Sequence, residues 1–323
     1  NSASGARLRR GQRRRDRARR GPEHVGHAHL GRRERLGSPQ RGRFERRPAP
    51  VAVNYLAFGG TMGVDYIDYA VVDDFVVPKD QQQFYSERLV YLPDSYQPNS
   101  FRPVSDATPS RAECGLPRDG FVFCCFNQTY KITPKTFDLW MRILQRAPGS
   151  VLWLLKPDQA TADNLCREAQ ARGVDPRRLA FAPKAPQAEH LARHRHADLF
   201  LDTLVVNALT TTSDALFMDC PVITCPGATF VARGAGSILR GLEMPELITE
   251  NLSAYEELAV QIASDPSRLQ RLKQKIASKR RTAPLFDSSR YARHLDAAYA
   301  GMWRQYQSGE GPTPFAVAPI DTE

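Results

Sequence analysis

From Gly120 onward, apolar runs of strand length alternate with amphipathic segments. FVFCCF, VLWLL, LAFAP, DLFLDT and PVITCPG are short apolar runs that end in turn or polar residues. The segments between them have helical spacing; in TPKTFDLWMRILQRAP, for example, Phe137, Met141 and Leu144 share one face, and Thr133 is a residue type that caps helices. This alternation predicts βαβ units that build a parallel sheet, and therefore an α/β fold.

The hydrophobic pattern divides the chain into four segments. Residues 46–118 contain two strand-like runs, VAVNYLAF and a stretch near Tyr66–Val72, and end in a proline-rich linker. Residues 119–310 contain the alternating pattern and then three helical stretches, while residues 311–323 read as a tail. Residues 1–45 have one aromatic residue, no Ile and long runs of Arg, so we expect them to be disordered.

Charge changes the picture mainly for residues 1–50. This stretch has 16 Arg, no Lys and four acidic residues, whereas the other 273 residues carry 29 basic against 31 acidic side chains. A basic arm for nucleic acid is one interpretation of the stretch, and a solvated tail is another. We favour a third: Arg-rich, Lys-free sequence is typical of GC-rich DNA translated out of frame, so residues 1–45 are expected to be non-native. A basic, nucleic-acid-binding body is therefore not supported by the charge of residues 51–323.

Cysteine usage and hydropathy indicate a soluble cytoplasmic protein. The six cysteines form no C-x-x-C pair, and most lie in apolar runs, as expected for buried reduced thiols. No stretch approaches the 18 apolar residues that a membrane helix needs, and the start of the chain lacks the apolar core of a signal peptide. We therefore expect no membrane partner.

Candidate chemistry follows the ends of the predicted strands, where ligands bind in open parallel sheets. Amides, hydroxyls and cations dominate these positions: Asn127, Gln128 and Lys131 after FVFCCF; Gln187, His190 and Arg193 after LAFAP; Asn207 and the hydroxyls of residues 210–213 after DLFLDT. In LTTTSDAL, four hydroxyls open a predicted helix, whose N-terminal N–H groups favour anions. One hydroxyl would suffice as a helix cap, but together with Lys131 the cluster predicts a phosphate site.

Several common sites are absent from the sequence. It has no G-x-x-x-x-G-K-[ST] loop and no G-x-G-x-x-G after a strand, which argues against NTPases and standard dinucleotide enzymes. It also has no Asp-x-Asp triplet to hold a metal-bound diphosphate. His190, His194 and His196 lack a Cys or acidic partner at ligand spacing, so we expect no metal site. A diphosphate would then depend on Lys131, hydroxyls and the helix dipole.

The sequence resembles the catalytic region of the O-linked N-acetylglucosamine transferase / SPINDLY family over about four-fifths of its length. The ordered blocks that carry the resemblance include RPAPVAVNYLAFGGTMG, FYSERLVYLPDSYQPN, FCCFNQTYKITP, APQAEHLARHRHADLFLDT, NALTTTSDAL and PVITCPGATFVARGAGSIL. The resemblance implies the GT-B architecture of two Rossmann-like domains. Residues 119–310 would be the C-terminal, nucleotide-sugar-binding domain, and residues 46–118 a remnant of the N-terminal one. It also implies an inverting, metal-independent transfer of GlcNAc from UDP-GlcNAc to Ser or Thr hydroxyls of proteins, with no cofactor.

The resemblance also implies roles for individual residues. Gln128 and Lys131 match the pair that contacts the donor diphosphate, Lys131 being the candidate catalytic residue. Ala185 and Gln187 would address the uracil, His190 would pack beside the uridine, and Arg193 would lie near the base. Thr210 and Thr211 match the phosphate-binding threonines, and Asp214 the carboxylate on the ribose, although Asp214 could simply cap its helix.

The sequence departs from the family pattern at three points. Leu209 stands where the family usually has His, which removes a donor to the phosphates. Ala57 stands where a Gly comes close to the sugar, so its methyl group crowds the ligand. The front half of the first Rossmann-like domain, with its candidate base histidines, has no counterpart, and neither have the helical repeats that hold protein substrates. We expect UDP binding, with turnover in doubt.

Two alternatives stay open at this point. SPINDLY-type relatives use GDP-fucose, so the fold is also compatible with a protein O-fucosyltransferase. Because Leu209 and the missing half-domain weaken the case for catalysis, a non-catalytic nucleotide-binding or interaction module is the other alternative.

Overall fold

The computed structural model describes residues 25–28, 45–56 and 59–320 of the chain. The strands in these residues are β1 (Val25–Ala28), β2 (Val51–Asn54), β3 (Tyr69–Asp73), β4 (Arg88–Leu92), β5 (Val122–Cys125), β6 (Val151–Leu155), β7 (Leu179–Ala182), β8 (Leu199–Leu201), β9 (Val222–Ile223) and β10 (Phe315–Ala316). The helices are α1 (Pro134–Arg146), α2 (Gln159–Ala171), α3 (Gln187–Arg193), α4 (Thr210–Phe217), α5 (Gly234–Gly241), α6 (Leu252–Ser264), α7 (Pro266–Thr282) and α8 (Ser288–Ser308).

The strands form two five-stranded sheets, and every pairing within them is parallel. The first sheet has the order β1-β2-β3-β4-β10, and the second has the order β7-β6-β5-β8-β9. The predicted parallel α/β fold is therefore confirmed. In the second sheet the chain moves outward from β5 to β7, returns, and continues on the other side with β8, so strand order reverses between β5 and β8.

Local sequence explains the helix starts around the second sheet. The Thr133 side chain accepts from the N–H of Thr136 and Pro134 occupies the first helical position of α1, as its sequence predicts. Asp158 caps α2 in the same way, and Gly173 follows that helix with φ of 75°, a conformation that glycine adopts without strain. These signals confirm that the segments following β5 and β6 are helices.

A short strand lies near each end of the chain. Strand β1 lies inside the stretch 1–45, where its backbone pairs with β2 because the short, Arg-free run VGHA can extend along that otherwise unpaired edge. The other residues of that stretch, except Glu45, lie outside the described residues. Within the expected tail at 311–323, Phe315 and Ala316 form β10 and pair with Val90 and Tyr91 of β4.

The hydrophobic core has one cluster for each sheet and one between them. The largest cluster surrounds the second sheet and includes Trp140 and Trp153. Helix α8 buries Ala298 and Met302 against Val51 and the rest of the first sheet, so the chain returns to the first sheet before residue 310. The third cluster joins the two halves, because Phe230 from the second packs among Val72, Leu89 and other residues of the first. None of the described helices is long and apolar enough to cross a membrane.

Candidate nucleotide-sugar site

The site is built where strand order reverses in the second sheet. Strands β5 and β8 are neighbours, and Phe123 of β5 pairs with Leu199 of β8. The chain continues from β5 toward β6 on one side and from β8 toward β9 on the other, so the loops that follow them diverge and leave a crevice. Such a switch point is the usual ligand site of an open parallel sheet. It brings the loop after FVFCCF to the loop that precedes α4.

Asn127 joins these two loops through both atoms of its amide. Its Nδ2 donates to Thr203 Oγ1 at 2.8 Å, and its Oδ1 accepts from Thr211 Oγ1 at 2.6 Å. Asn127 itself is 3% exposed, so these bonds are made away from water. The amide therefore fixes the first turn of α4 relative to the end of β5.

The Asp202 carboxylate accepts hydrogen bonds from the loop between β8 and α4 and holds it in place. Its Oδ1 accepts from the backbone N–H groups of Thr203 and Ala208 at 2.8 and 2.7 Å, and its Oδ2 accepts from Thr224 Oγ1 at 2.7 Å. Burial raises the pKa of Asp202 to about 7, while its hydrogen bonds and the nearby charge of Lys131 act in the opposite direction. The buried carboxylate therefore fixes the backbone of residues 203–208.

Lys131 hydrogen-bonds to the same loop, residues 203–208. Its Nζ donates to the backbone carbonyl of Asn207 at 3.0 Å. Burial lowers the pKa of Lys131, and the charge of Asp202 partly offsets this effect. The ammonium therefore points toward the loop that leads directly into the hydroxyl-rich start of α4, as the phosphate-site hypothesis requires.

The residues at the outer rim of the site remain open to solvent. Gln128 and Thr210 are exposed, and none of the described residues hydrogen-bonds to either side chain. Thr211 is half-buried, and its hydroxyl donates to Asn127. The rim thus offers donors to a ligand, and the groups behind it are held by the protein.

Asp214 lies one helical turn beyond Thr210 on α4 and is 5% exposed. Its Oδ1 forms an ion pair with the guanidinium of Arg102. Burial raises the pKa of Asp214, and Arg102 acts against that rise. The carboxylate therefore does not cap α4, since residue 214 is the fifth residue of the helix and its partner is a side chain from the linker.

The segment that follows β7 carries the residues predicted for the base. His190 packs edge-on against Phe126, with ring centroids 5.1 Å apart, and burial lowers its pKa to about 4. Its imidazole is therefore neutral at physiological pH. Arg193 turns inward, where Nη1 donates to the carbonyl of Pro183 at 2.7 Å, so it braces the loop that carries Ala185. Gln187 is exposed and begins α3.

Leu209 fills the junction between the two halves of the protein. It is half-buried and contacts both the core of the second sheet and the cluster that includes Phe230. A Cβ atom on Gly234 would lie 2.2 Å from Leu209 Cδ2, so the glycine allows α5 to approach this side chain. The other departure, Ala57, lies outside the described residues.

The sequence alone did not indicate two charged residues of the site, Asp202 and Arg102. It indicated the position of a third residue, Asn127, but not its role. Asp202 could have been found as the carboxylate that ends the apolar run DLFLDT, and Asn127 was noted at a strand end without a role. Arg102 carries no local signal, because it lies in a proline-rich linker and its partner Asp214 is 112 positions further along the chain. Among the described residues, no group of three or more His, Cys, Asp or Glu side chains is placed to hold a metal ion.

Comparison with known proteins links the chain to glycosyltransferases. The model of Glycosyl transferase family 41 matches residues 39–104 and 100–295. A probable UDP-N-acetylglucosamine–peptide N-acetylglucosaminyltransferase SEC of Arabidopsis thaliana is 39% identical over 287 residues, which cover 87% of this chain and 29% of the relative. A UDP-N-acetylglucosamine–peptide N-acetylglucosaminyltransferase of Caenorhabditis elegans is 37% identical over 207 residues, covering 64% of this chain and 18% of the relative. The chain thus spans less than a third of these relatives.

Solved structures give the same result for the fold. An O-GlcNAc transferase mutant of Thermobaculum terrenum superposes with a TM-score of 0.77 at 34% identity, covering 84% of this chain and 52% of that one. WaaG, a glycosyltransferase of lipopolysaccharide biosynthesis, superposes with a TM-score of 0.50 at 14% identity, covering 79% of this chain and 80% of WaaG, a likeness of fold alone. The two parallel sheets accordingly have the GT-B arrangement that the resemblance implies.

Proposed function

The chain belongs to glycosyl transferase family 41, and on that basis we propose that it binds UDP-GlcNAc and serves the transfer of GlcNAc to Ser or Thr hydroxyls of proteins. The relatives described above are named as transferases of N-acetylglucosamine from UDP-N-acetylglucosamine to peptides. Because this chain spans only part of their length, its own turnover, acceptors and partners belong to the proposal. We also propose that it works in the cytoplasm, with the nucleotide sugar and a protein acceptor as its partners.

The hydrogen bond from Lys131 to the carbonyl of Asn207 carries the proposal. It places a partly buried ammonium beside the loop that opens into Thr210 and Thr211, at the switch point of a parallel sheet. An ammonium, the exposed hydroxyl of Thr210 and the N–H groups of a helix start, including that of Thr211, are donors suited to a diphosphate. Gln128 at the exposed rim would add an amide.

In the proposed reaction, the oxygen of an acceptor Ser or Thr attacks the anomeric carbon from the face opposite UDP. The new carbon–oxygen bond forms as the bond to the β-phosphate oxygen breaks, so the configuration inverts and negative charge grows on the departing diphosphate. Lys131, the hydroxyl of Thr210 and the backbone N–H of Thr211 would stabilise that charge, and the proposal needs no metal ion for this role. The hydroxyl proton goes to a base that is not assigned among the described residues.

The remaining predicted residues would fix the nucleoside. Neutral His190 offers a flat imidazole face beside Phe126 for the uridine. The backbone of Ala185 and the side chain of Gln187 would address the uracil edge, and Arg193 would hold their loop through Pro183. Asp214 would accept a hydrogen bond from the ribose.

Isothermal titration with UDP and with UDP-GlcNAc tests the proposal. We expect both to bind, and we expect Lys131→Ala to weaken UDP by about 10- to 100-fold, the range of a lost charge-assisted hydrogen bond. Lys135→Ala, which removes an exposed lysine from α1, is the matched control and should leave the affinity unchanged. No heat with either nucleotide, or equal effects of the two substitutions, would refute the proposed site.

Competition between nucleotides separates the two donors that the sequence leaves open. We expect UDP to displace a bound UDP-GlcNAc analogue at much lower concentration than GDP. The reverse order would favour a GDP-fucose donor.

A further inference from the structure

A short stretch of the linker, residues 97–102, lies along α4 and is here called the strap. Gln97 Nε2 donates to Ser213 Oγ at 3.2 Å, and the ring of Phe101 meets the ring of Phe217 edge-on at 5.2 Å. Asp214 lies between Ser213 and Phe217 on α4, and it pairs with Arg102 of the strap. The strap therefore follows the helix that carries the predicted phosphate and ribose contacts.

The pair formed by Arg102 and Asp214 is largely removed from water. The side chain of Arg102 is 14% exposed and that of Asp214 is 7% exposed. Asn99 Oδ1 accepts from Arg102 Nη2 at 3.4 Å and so helps to orient the guanidinium. An ion pair in such surroundings costs desolvation, and removing Arg102 alone would leave the Asp214 charge unpaired.

Asp214 differs from the other two buried carboxylates at strand-end loops. Asp73 and Asp202 each receive hydrogen bonds on both carboxylate oxygens. Asp214 receives one on Oδ1 from Arg102, and none of the described residues donates to its Oδ2. A nearly buried carboxylate with one uncommitted oxygen is therefore available to a ligand donor.

The chemistry of this oxygen fits a ribose. Asp214 follows Thr210 by one helical turn on the same face of α4, so the two residues are neighbours along the helix. A ribose joined to the diphosphate presents two neighbouring hydroxyl groups, which are donors for such an acceptor.

We propose that Arg102 is a positioning residue of the donor site, which holds Oδ1 of Asp214 so that Oδ2 can accept a hydrogen bond from a ribose hydroxyl. This inference rests on the proposed function, because it assigns a partner to the ribose contact within that site. Arg102 does not touch the ligand; it acts by keeping the carboxylate ionised and correctly rotated.

A ligand pair that differs only at the ribose tests the inference. Wild-type protein should bind UDP at least about tenfold more tightly than 2′,3′-dideoxy-UDP, since a hydrogen bond to a charged acceptor is lost. Arg102→Met should weaken UDP by about tenfold, leave dideoxy-UDP within about twofold, and so abolish the preference. Arg102→Lys keeps a cation and should restore most of the preference, and it keeps the test open if the Met variant fails to fold.

The control variant is Arg195→Gln, which loosens the linker at another point. Arg195 donates to Thr108 and to the carbonyl of Ser105, away from Asp214, so the preference for UDP should persist. If Arg102→Met weakens both ligands equally, or if Arg102→Lys folds but shows no preference, the inference is overturned while the proposed function stands. If the wild-type protein binds neither UDP nor dideoxy-UDP, the proposed function fails and this inference fails with it.

Discussion

The carboxyl ends of the two parallel sheets use their polar groups in opposite ways. At the first sheet, Asp73 ends β3 and accepts from the N–H groups of Phe75, Val76 and Tyr96 and from the hydroxyl of Ser237. At the second sheet, Asp202 follows β8 and holds only its own loop and Thr224. The first carboxylate fastens the two halves of the protein together, whereas the second supports a rim that stays open.

Further contacts at the first edge serve the same purpose as Asp73. Arg233 Nε donates to the carbonyl of Phe75 at 2.6 Å, and Arg240 pairs with Asp74. Phe230 is buried among the residues of the first half, where its ring meets that of Tyr96 edge-on. These groups are occupied by protein partners, so this part of the edge offers little to a ligand.

The second edge differs because its strand order reverses between β5 and β8. The diverging loops leave Gln128 and Thr210 exposed, and Asn127 and Asp202 fix the backbone behind them. A strand end by itself is therefore not a binding site. The site needs both a crevice and donors that the protein has left uncommitted.

The largest expected effect concerns the pH dependence of stability at Asp202. Its pKa is about 7 in the folded protein, above the ordinary value near 4, so its stabilising contribution is complete below about pH 4 and is lost as pH rises through 7. Asp202→Asn replaces the carboxyl with a side chain that does not titrate, so the variant does not lose this stability as pH rises. The difference in unfolding free energy, variant minus wild type, should therefore increase by on the order of 2–4 kcal/mol between pH 4 and pH 8. Urea unfolding of both proteins at the two pH values measures this, and a difference that stays constant would contradict it.

The next effect tests whether Asp73 fastens the two halves. Asp73→Asn keeps the volume but replaces an acceptor with an NH₂ group that faces the N–H of Tyr96. We expect a loss of about 2–3 kcal/mol in unfolding free energy, the cost of buried donors left unpaired. Asp74→Asn, next to it in an exposed ion pair, should cost less than about 1 kcal/mol. Similar losses in the two variants would remove the distinction drawn for this edge.

Leu209→His should have opposite effects on stability and on binding. The leucine packs against the cores of both halves, so its replacement should lower the unfolding free energy by about 1–2 kcal/mol. The imidazole would restore the donor that the family resemblance places before the threonine pair, and UDP should bind more tightly. Urea unfolding and titration with UDP measure the two effects, with Leu209→Met as the apolar control. Binding that does not tighten would show that the imidazole does not reach the phosphates.

The smallest effect distinguishes the two neighbouring threonines. Thr211→Val removes the hydroxyl bonded to Asn127 and should cost about 1 kcal/mol of stability, whereas Thr210→Val, at an exposed hydroxyl, should cost less than about 0.5 kcal/mol. Both should weaken UDP. A stability loss that is equal for the two variants would mean that Asn127 does not anchor α4.

Much of the fold could be predicted from local sequence. The run FVFCCF followed by Thr133 and Pro134 specifies β5 and the start of α1, since apolar length and helix capping act over a few residues. The three helical stretches, which the sequence places at 253–264, 266–281 and 288–307, are found as α6, α7 and α8 within one residue of those bounds. Strand β10 could not be predicted, because two residues acquire strand structure only by pairing with Tyr91 and its neighbour on β4.

The sequence alone determined which side chains follow each strand, and the resemblance that its motifs carry supplied their proposed roles. Only the tertiary structure decided which of them meet: Lys131 with Asn207, Asn127 with Thr211, and Asp214 with Arg102. Each of these contacts joins residues more than 70 positions apart, so it depends on strand order and on how the linker crosses α4. Periodicity and capping act over a few residues and carry no information about such pairings.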